Sequence, residues 1–248
     1  MKHKLWRRIK ALLFPPRCAG CGTLLDGDAS AGLCPICHAN FLHTENFGCP
    51  LCNRPDLDCR CLPRYSSRYV RAYLHTCAYL PGVITGIVLS LKRRQNADAA
   101  TLCAQRMAKA LQMDCAARGI SASSLLLIPL APSERSRRTG IDSAYSLAKA
   151  LKKQCGATVF RALRRTYGAD EQKKLHGAQR LENAKKTYRL RPFVKQRIRG
   201  RDIVLVDDIL TTGASCRACA ALLHAAGARS ITVLTFGKTY LYRKGALC

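Results

Sequence analysis

Ile203-Val204-Leu205-Val206-Asp207-Asp208-Ile209-Leu210-Thr211-Thr212-Gly213-Ala214-Ser215 decides the fold: an apolar run stops at two adjacent carboxylates and passes into a loop of small and hydroxylated residues. The four apolar residues 203–206, three of them β-branched, suit a strand buried on both faces. Residues 214–226 are rich in Ala and Leu and are followed by Gly227, which predicts a helix ended by glycine. Thr211, Thr212, Gly213, Ala214 and Ser215 therefore sit at a helix N-terminus. Unpaired N–H groups, the helix dipole and three hydroxyls converge there, and an anionic phosphate fits such a place. Carboxylates at the end of a buried strand are costly unless paired, hydrated or bound, and a ribose diol or Mg²⁺ would satisfy Asp207 and Asp208. An Asp cap on the helix accounts for one acid and leaves the second without a purpose.

Similar alternation runs through the chain from about residue 65. Residues 125–130, 158–163 and 231–236 read as strands, and 82–91, 97–111 and 143–153 as helices. Strands alternating with helices predict a parallel sheet. The 207–215 loop is neither a Walker A sequence nor a GxGxxG turn. It resembles the phosphoribosyl pyrophosphate (PRPP) loop of type I phosphoribosyltransferases. That resemblance implies that Asp207 and Asp208 hold the ribose hydroxyls as a catalytic pair, with Mg²⁺ accompanying PRPP. It further implies that the backbone of Leu210, Thr211, Thr212, Gly213, Ala214 and Ser215 cradles the 5-phosphate. Such a site needs a place for pyrophosphate, and Leu130, Ala131, Pro132, Ser133 and Arg135, after the 125–130 strand, are suitably located. Arg137 and Arg138 add guanidinium forks nearby, or form a solvated basic turn.

Ahead of this domain the cysteines cluster. Cys18-x2-Cys21, Cys34-x2-Cys37, Cys49-x2-Cys52 and Cys59-x-Cys61 are separated by Gly- and Pro-containing turns, the pattern of a metal-stapled module with little core of its own. Sequential pairing puts Cys18, Cys21, Cys34 and Cys37 on one Zn²⁺ and Cys49, Cys52, Cys59 and Cys61 on another, for one or two structural ions in all; the spacing leaves cross-bracing of the first knuckle with the third open as an alternative. Cys59-x-Cys61 is a tighter bite than the others, and His38 and His43 lie near enough to substitute as ligands. Four thiolates fill a zinc coordination sphere, so both sites read as structural. Cys216-x2-Cys219, within the predicted 214–226 helix, reads as core packing.

The expected organisation is a basic helix over 1–17, a double zinc-ribbon module over 18–64 and an α/β domain over 65–248. The fold class is a type I phosphoribosyltransferase-like parallel sheet flanked by helices behind that module. Residues 1–17 lack the apolar core and cleavage site of a signal peptide, and no window reaches the roughly 18 apolar residues of a transmembrane span. A cytoplasmic chain with reduced cysteines is expected.

Forty-two Lys and Arg against fifteen Asp and Glu give a formal charge of +27 in 248 residues, which calls for polyanionic company, either nucleic acid or an acidic membrane surface. The charge is densest over 161–201, where Arg164, Arg165, Lys173, Lys174, Arg180, Arg189 and Arg191 are interleaved with Tyr167, Tyr188 and Phe193. Cations alternating with aromatic rings suit single-stranded nucleic acid, and the same segment also reads as a mobile loop over the site.

A cysteine-knuckle head before such a domain resembles the ComF family, the ComFC-type competence proteins of bacteria. The knuckles from Cys18, the 79–92 segment ending Ser90-Leu91-Lys92, Ile128-Pro129-Leu130-Ala131-Pro132 and Asp207-Asp208 to Ser215 carry the likeness. Gln172, Leu175, Arg180 and Asn183 keep the family's Q-x2-L-x4-R-x2-N spacing. Two features depart from it: Thr139-Gly140-Ile141-Asp142-Ser143 stands where R-G-F-N-Q is usual, and Ala169 where a Thr is. The resemblance implies a part in taking up single-stranded DNA, beside a helicase-like partner and a recombination mediator. Two further readings stay open, an active transferase onto an amine or base and a non-catalytic PRPP sensor acting on nucleic acid.

Overall fold

The structure, a computed structural model, describes residues 15–25, 32–44, 67–94, 96–166 and 187–239. The expectations for 1–14, for Cys49, Cys52, Cys59 and Cys61, for Tyr167, and for Lys173, Lys174, Arg180 and the rest of the Q-x2-L segment lie outside these residues.

A parallel sheet organises the chain. Strands β1 (Ala72–Leu74), β2 (Cys77–Ala78), β3 (Leu126–Pro129), β4 (Thr158–Val159), β7 (Asp202–Leu210) and β8 (Ser230–Lys238) belong to it, and β5 (Leu163–Arg165) and β6 (Tyr188–Leu190) form a separate antiparallel ribbon. The order β1-β8-β7-β3-β4, with β2 also on β8, is parallel throughout. Both faces are covered, which is why the strands read as continuous apolar runs.

Helices α1 (Pro35–Leu42), α2 (Val83–Arg94), α3 (Ala97–Ala117), α4 (Glu134–Thr139), α5 (Ser143–Cys155), α6 (Lys195–Ile198) and α7 (Ala214–Ala225) complete the described chain. Strand alternation divides the core in two. Leu127, Val204, Val206, Leu234 and Phe236 face α2, α3 and α5, joined there by Leu33, Cys37 and Phe41 of the cysteine-bearing segment. Leu126, Ile128, Ile203, Leu205 and Val233 face α7 and the ribbon. Among the described residues no helix is long and apolar enough to cross a membrane.

The sequence-based strand at 158–163 divides in the structure. Thr158 and Val159 pair with β3, whereas Leu163 to Arg165 pair with β6 in the ribbon. Helix α3 runs through Ala117, beyond the expected 111, until Arg118 and the left-handed Gly119 (φ 62°) turn the chain.

At the N-terminal edge of the sheet, Asp202 ties three elements together. Its carboxylate receives Arg229, Ser230 Oγ at 2.5 Å and Arg118 at 3.2 Å. The Arg229 guanidinium, followed by the Ser230 hydroxyl, holds its pKa down at about 2.

Candidate functional site

Four candidate metal ligands come first along the chain. Cys18, Cys21, Cys34 and Cys37 place their sulfurs within 4.8 Å of one another, and Cys21 Sγ lies 3.7 Å from Cys34 Sγ. A tetrahedral Zn²⁺ with Zn–S bonds of about 2.3 Å separates its sulfurs by about 3.8 Å, so this set fits the ion. Local structure prepares the ligands. Cys18 and Thr23 close the first knuckle through Cys18 N–H to Thr23 O at 2.8 Å, and Cys34 caps α1, its sulfur accepting from Cys37 N–H at 3.5 Å. The Cys34 amide in turn donates to Cys18 Sγ at 3.2 Å. Glycine is needed between the first two ligands, since a Cβ on Gly20 would stand 2.9 Å from Cys37 Sγ. The first four cysteines thus stand together as the sequential grouping expects, while the other four lie outside the described residues.

This knuckle rests on α2 at very short range. A Cβ on Gly86 would lie 1.8 Å from the Gly20 carbonyl oxygen, so the two backbones touch. Phe41 extends the seam by stacking on Phe236 at 6.4 Å between centroids, and the buried Arg106 lies over the Phe41 ring at 3.4 Å.

The second site sits where the strand order reverses. The chain leaves β3 toward β4 on one side and resumes at β7 on the other, and ligands in open parallel sheets bind outside such a switch point. Register explains why the acids stand there. Pro129, the last residue of β3, pairs with Val206, whereas β7 continues to Leu210 along β8. Asp207 and Asp208 therefore project past the end of β3.

A strand expected to end at Val206 runs through both acids, and successive strand residues point to opposite faces. Asp208 faces α2 and α5. It is 5% exposed, accepts from Ser143 Oγ at 2.6 Å and pairs with Lys92 Nζ at 3.0 Å. Asp207 faces α7, and its Oδ1 accepts from the Asp208 amide at 2.9 Å. Burial, then the neighbouring Asp208 charge, pushes the Asp207 carboxyl well above the usual carboxylate range. Burial opposes the charge on Lys92, but Asp208 and Asp207 more than offset it, and the ammonium is stabilised.

Both acids line a cavity of about 470 Å³. Leu130, Ala131, Pro132 and Ser133 form another wall, and Ser133 caps α4 by accepting from Ser136 N–H at 3.1 Å. Arg135 lies in the first turn of α4. Of the predicted phosphate loop, Thr211 reaches the cavity wall, while Leu210 and Ala214 are buried in the core and Thr212, Gly213 and Ser215 shape the turn behind it. Gly213 takes φ 66° at the start of α7, a left-handed conformation that favours glycine. Thr212 Oγ1 accepts from Ala214 N–H at 3.5 Å, and Ser215 Oγ accepts from Tyr188 at 3.1 Å. Cys216 and Cys219 are buried in the core beneath, as their helical spacing predicts.

Sequence reasoning missed Lys92, Arg93, Asp142 and Ser143 as lining residues. Three basic residues at the end of an amphipathic helix were the available signal for Lys92 and Arg93, and an Asp cap before a helix was the signal for the other two.

The basic segment divides. Arg165 lines the cavity. Arg164 and Arg189 are exposed and sit directly opposite each other on the ribbon, and Arg191 follows, also exposed. Tyr188 does not offer its ring for base stacking: it is buried under the Arg165 guanidinium, 5.7 Å from its centroid, and bonded to Ser215. Phe193 is 99% exposed at φ 58° and keeps that option.

No known family model matches the chain. No curated protein matches it either. Among solved structures, the allosteric regulatory enzyme of purine biosynthesis aligns with a TM-score of 0.36 and 19% identity over 55% of this chain and 26% of that one. A hypoxanthine phosphoribosyltransferase from Staphylococcus aureus aligns with a TM-score of 0.36 and 11% identity over 60% of this chain and 77% of that one. A glutamic acid mutant made at an invariant aspartic acid of an HPRT gives 0.38 and 14%, over 61% and 74%. The α/β assignment stands on the strand order and register above, and the chain is a parallel α/β sheet flanked by helices, with a four-cysteine cluster fit for zinc.

Proposed function

We propose that this chain is a type I phosphoribosyltransferase-like protein that binds PRPP or a related phosphorylated ribose over the C-terminal ends of β3 and β7. One observation carries the reading: two carboxylates stand beyond the end of β3 at the switch point, beside a glycine-started helix N-terminus. Asp207 takes the ribose hydroxyls, the turn from Leu210 to Ser215 receives the 5-phosphate, and Leu130 to Ser133 face the pyrophosphate. Lys92, Arg93 and Arg165 supply positive charge around them. In a transfer step, Asp207 and Asp208 would steady the positive charge developing at the ribose C1. A divalent ion gripped between Asp207 and Asp208 does not fit, because the two side chains diverge and Asp208 already holds Lys92 and Ser143. Mg²⁺ belongs to the proposal as a counter-ion carried on the PRPP phosphates.

Calorimetric titration with PRPP tests this. Wild type binds, and Asp207→Asn weakens binding by at least about 30-fold, equivalent to roughly 2 kcal/mol. Absence of binding to wild type at millimolar PRPP overturns the reading. Pyrophosphate release in the same samples, lost with Asp207→Asn, would assign transfer to an amine or base. Binding without release, coupled to a change in DNA affinity, would assign sensing.

A second ligand follows from the ribbon. Arg164 and Arg189 are exposed directly across from each other and so place two guanidinium groups on one face of the ribbon. With Arg191 and Phe193 nearby in sequence, this surface suits single-stranded DNA. The resemblance to the ComF family extends the proposal to DNA uptake in the cytoplasm, beside a helicase-like partner and a recombination mediator. The Arg164→Ala/Arg189→Ala pair should weaken single-stranded DNA binding and flatten its salt slope by about 1.4, at roughly 0.7 for each phosphate that is no longer neutralised. An unchanged slope would remove the ribbon from the interface.

A further inference from the structure

We infer that a second cavity, beside the first across the 132–142 segment, is a nucleotide site: Arg137, Lys149 and the Ser146 hydroxyl take a phosphate, and the base lies against the Arg161 guanidinium. This cavity measures about 400 Å³, within the range of small-molecule sites, and shares Pro132, Ser136 and Asp142 with the first. Helix α5 contributes Tyr145, Ser146 and Lys149, with Tyr145 and Lys149 four residues apart on one side of the helix. Arg137 comes from the last turn of α4, and Arg161 from the stretch between β4 and β5. Arg137, for which the sequence offered a place beside the pyrophosphate, lines this cavity and not the first.

Printed contacts bring the cations to one place. The Arg161 guanidinium lies 4.6 Å from the Tyr145 ring centroid, and Lys149 Nζ lies 5.7 Å from the same centroid. Asp142, the one acid of the wall, is already satisfied. Its Oδ1 accepts from Tyr145 N–H at 3.0 Å as the cap of α5, and its Oδ2 accepts from Arg161 Nη2 at 3.0 Å. Three cations against this single engaged carboxylate leave two positive charges in excess. A brace for Asp142 requires Arg161 alone and gives no reason for Lys149, which is exposed and pairs with no carboxylate among the described residues, to gather on the same ring. Held by Asp142 and backed by Tyr145, the Arg161 guanidinium is fixed in orientation, yet its side chain stays 42% exposed. Guanidinium planes stack on nucleobases, and neighbouring cations with a hydroxyl suit phosphate oxygens.

The site stands apart from the reading of the first cavity, so its test needs no PRPP. The full zinc-loaded chain is labelled with 3-fluorotyrosine, the Tyr145 signal is assigned by its loss in Tyr145→Phe, and that signal is followed by fluorine NMR as adenosine 5′-monophosphate is added. Wild type should give a saturable shift with a Kd below about 1 mM. Arg137→Ala/Lys149→Ala, two exposed positions, should weaken binding at least about tenfold with the melting curve unchanged. Arg161→Lys, which keeps the charge and loses the plane, should bring the affinity for the nucleotide down to that for inorganic phosphate, expected at least about tenfold weaker in wild type. A short oligo-dT identifies the source: tighter binding than the mononucleotide assigns the phosphate to a nucleic-acid strand, weaker binding to a free nucleotide, and either upholds the site. Inorganic phosphate that binds wild type as tightly as the mononucleotide overturns the nucleotide assignment. A Tyr145 shift kept in Arg137→Ala/Lys149→Ala and lost in Asp207→Asn puts the nucleotide in the first cavity and overturns the second site, as does the absence of any shift with all three probes.

Discussion

Stripping zinc from the first cysteine cluster should lower the melting temperature by roughly 6–20 °C, on about 3–5 kcal/mol of lost stability at 2–4 °C per kcal/mol for a chain of this size. The reason is the thin local structure around the cluster. Between residues 15 and 44 the described chain has one eight-residue helix and one isolated bridge, Arg17 to Leu24. Such a segment holds its shape through the metal. The cost spreads beyond it, because Leu33, Cys37 and Phe41 belong to the same apolar cluster as Val206 and Phe236 of the sheet. Loss of the knuckle would expose that face, including the Phe41–Phe236 stack and the Arg106 guanidinium over Phe41. Calorimetry of wild type with and without chelator, beside Cys37→Ser with its zinc content measured, checks this. Cys37→Ser should carry one zinc fewer per chain; an unchanged zinc content and melting curve would rule the site out.

Gly86→Ala should cost about 1–3 kcal/mol by overpacking, offset in part by the gain of about 1 kcal/mol that alanine brings to a helix interior. Its Cβ would meet the Gly20 oxygen at 1.8 Å, the carbonyl carbon at 2.6 Å and Cα at 3.0 Å, all backbone atoms that cannot rotate away. Relief requires the knuckle and α2 to part. The two effects are therefore coupled: in the Cys37→Ser background, where the knuckle is no longer held, Gly86→Ala should become neutral or stabilising. A double-mutant cycle read from urea unfolding gives the coupling, and additive effects would mean that the two backbones do not meet. Lys92 lies less than two turns further along α2, so Gly86→Ala should also weaken whatever the cavity binds.

How much of this is legible in the sequence follows the range of the interactions. The helix after Gly213, the buried strand before it and the first zinc knuckles are encoded within a few residues each: apolar periodicity, a glycine stop, two-residue spacing between thiols. These signals need no partner from elsewhere in the chain. The end of β7 escapes a local reading because the acids look like a stop, whereas pairing with β8, through Leu210 to Lys238, carries the strand past them. Residues 158–163 likewise read as one strand, and the ribbon partner that claims Leu163 lies more than twenty residues later.

From sequence alone came a parallel α/β chain, a cysteine module ahead of it and two acids before a phosphate-type turn, because each rests on short-range periodicity and spacing. Tertiary structure alone decided that the acids face opposite sides of the sheet, that Ser143 and Lys92 claim Asp208, and that Tyr188 lies buried beneath Arg165. Each of those depends on strand register and on close backbone approach between segments distant in sequence, Gly20 against Gly86 above all, and no local pattern records such proximity.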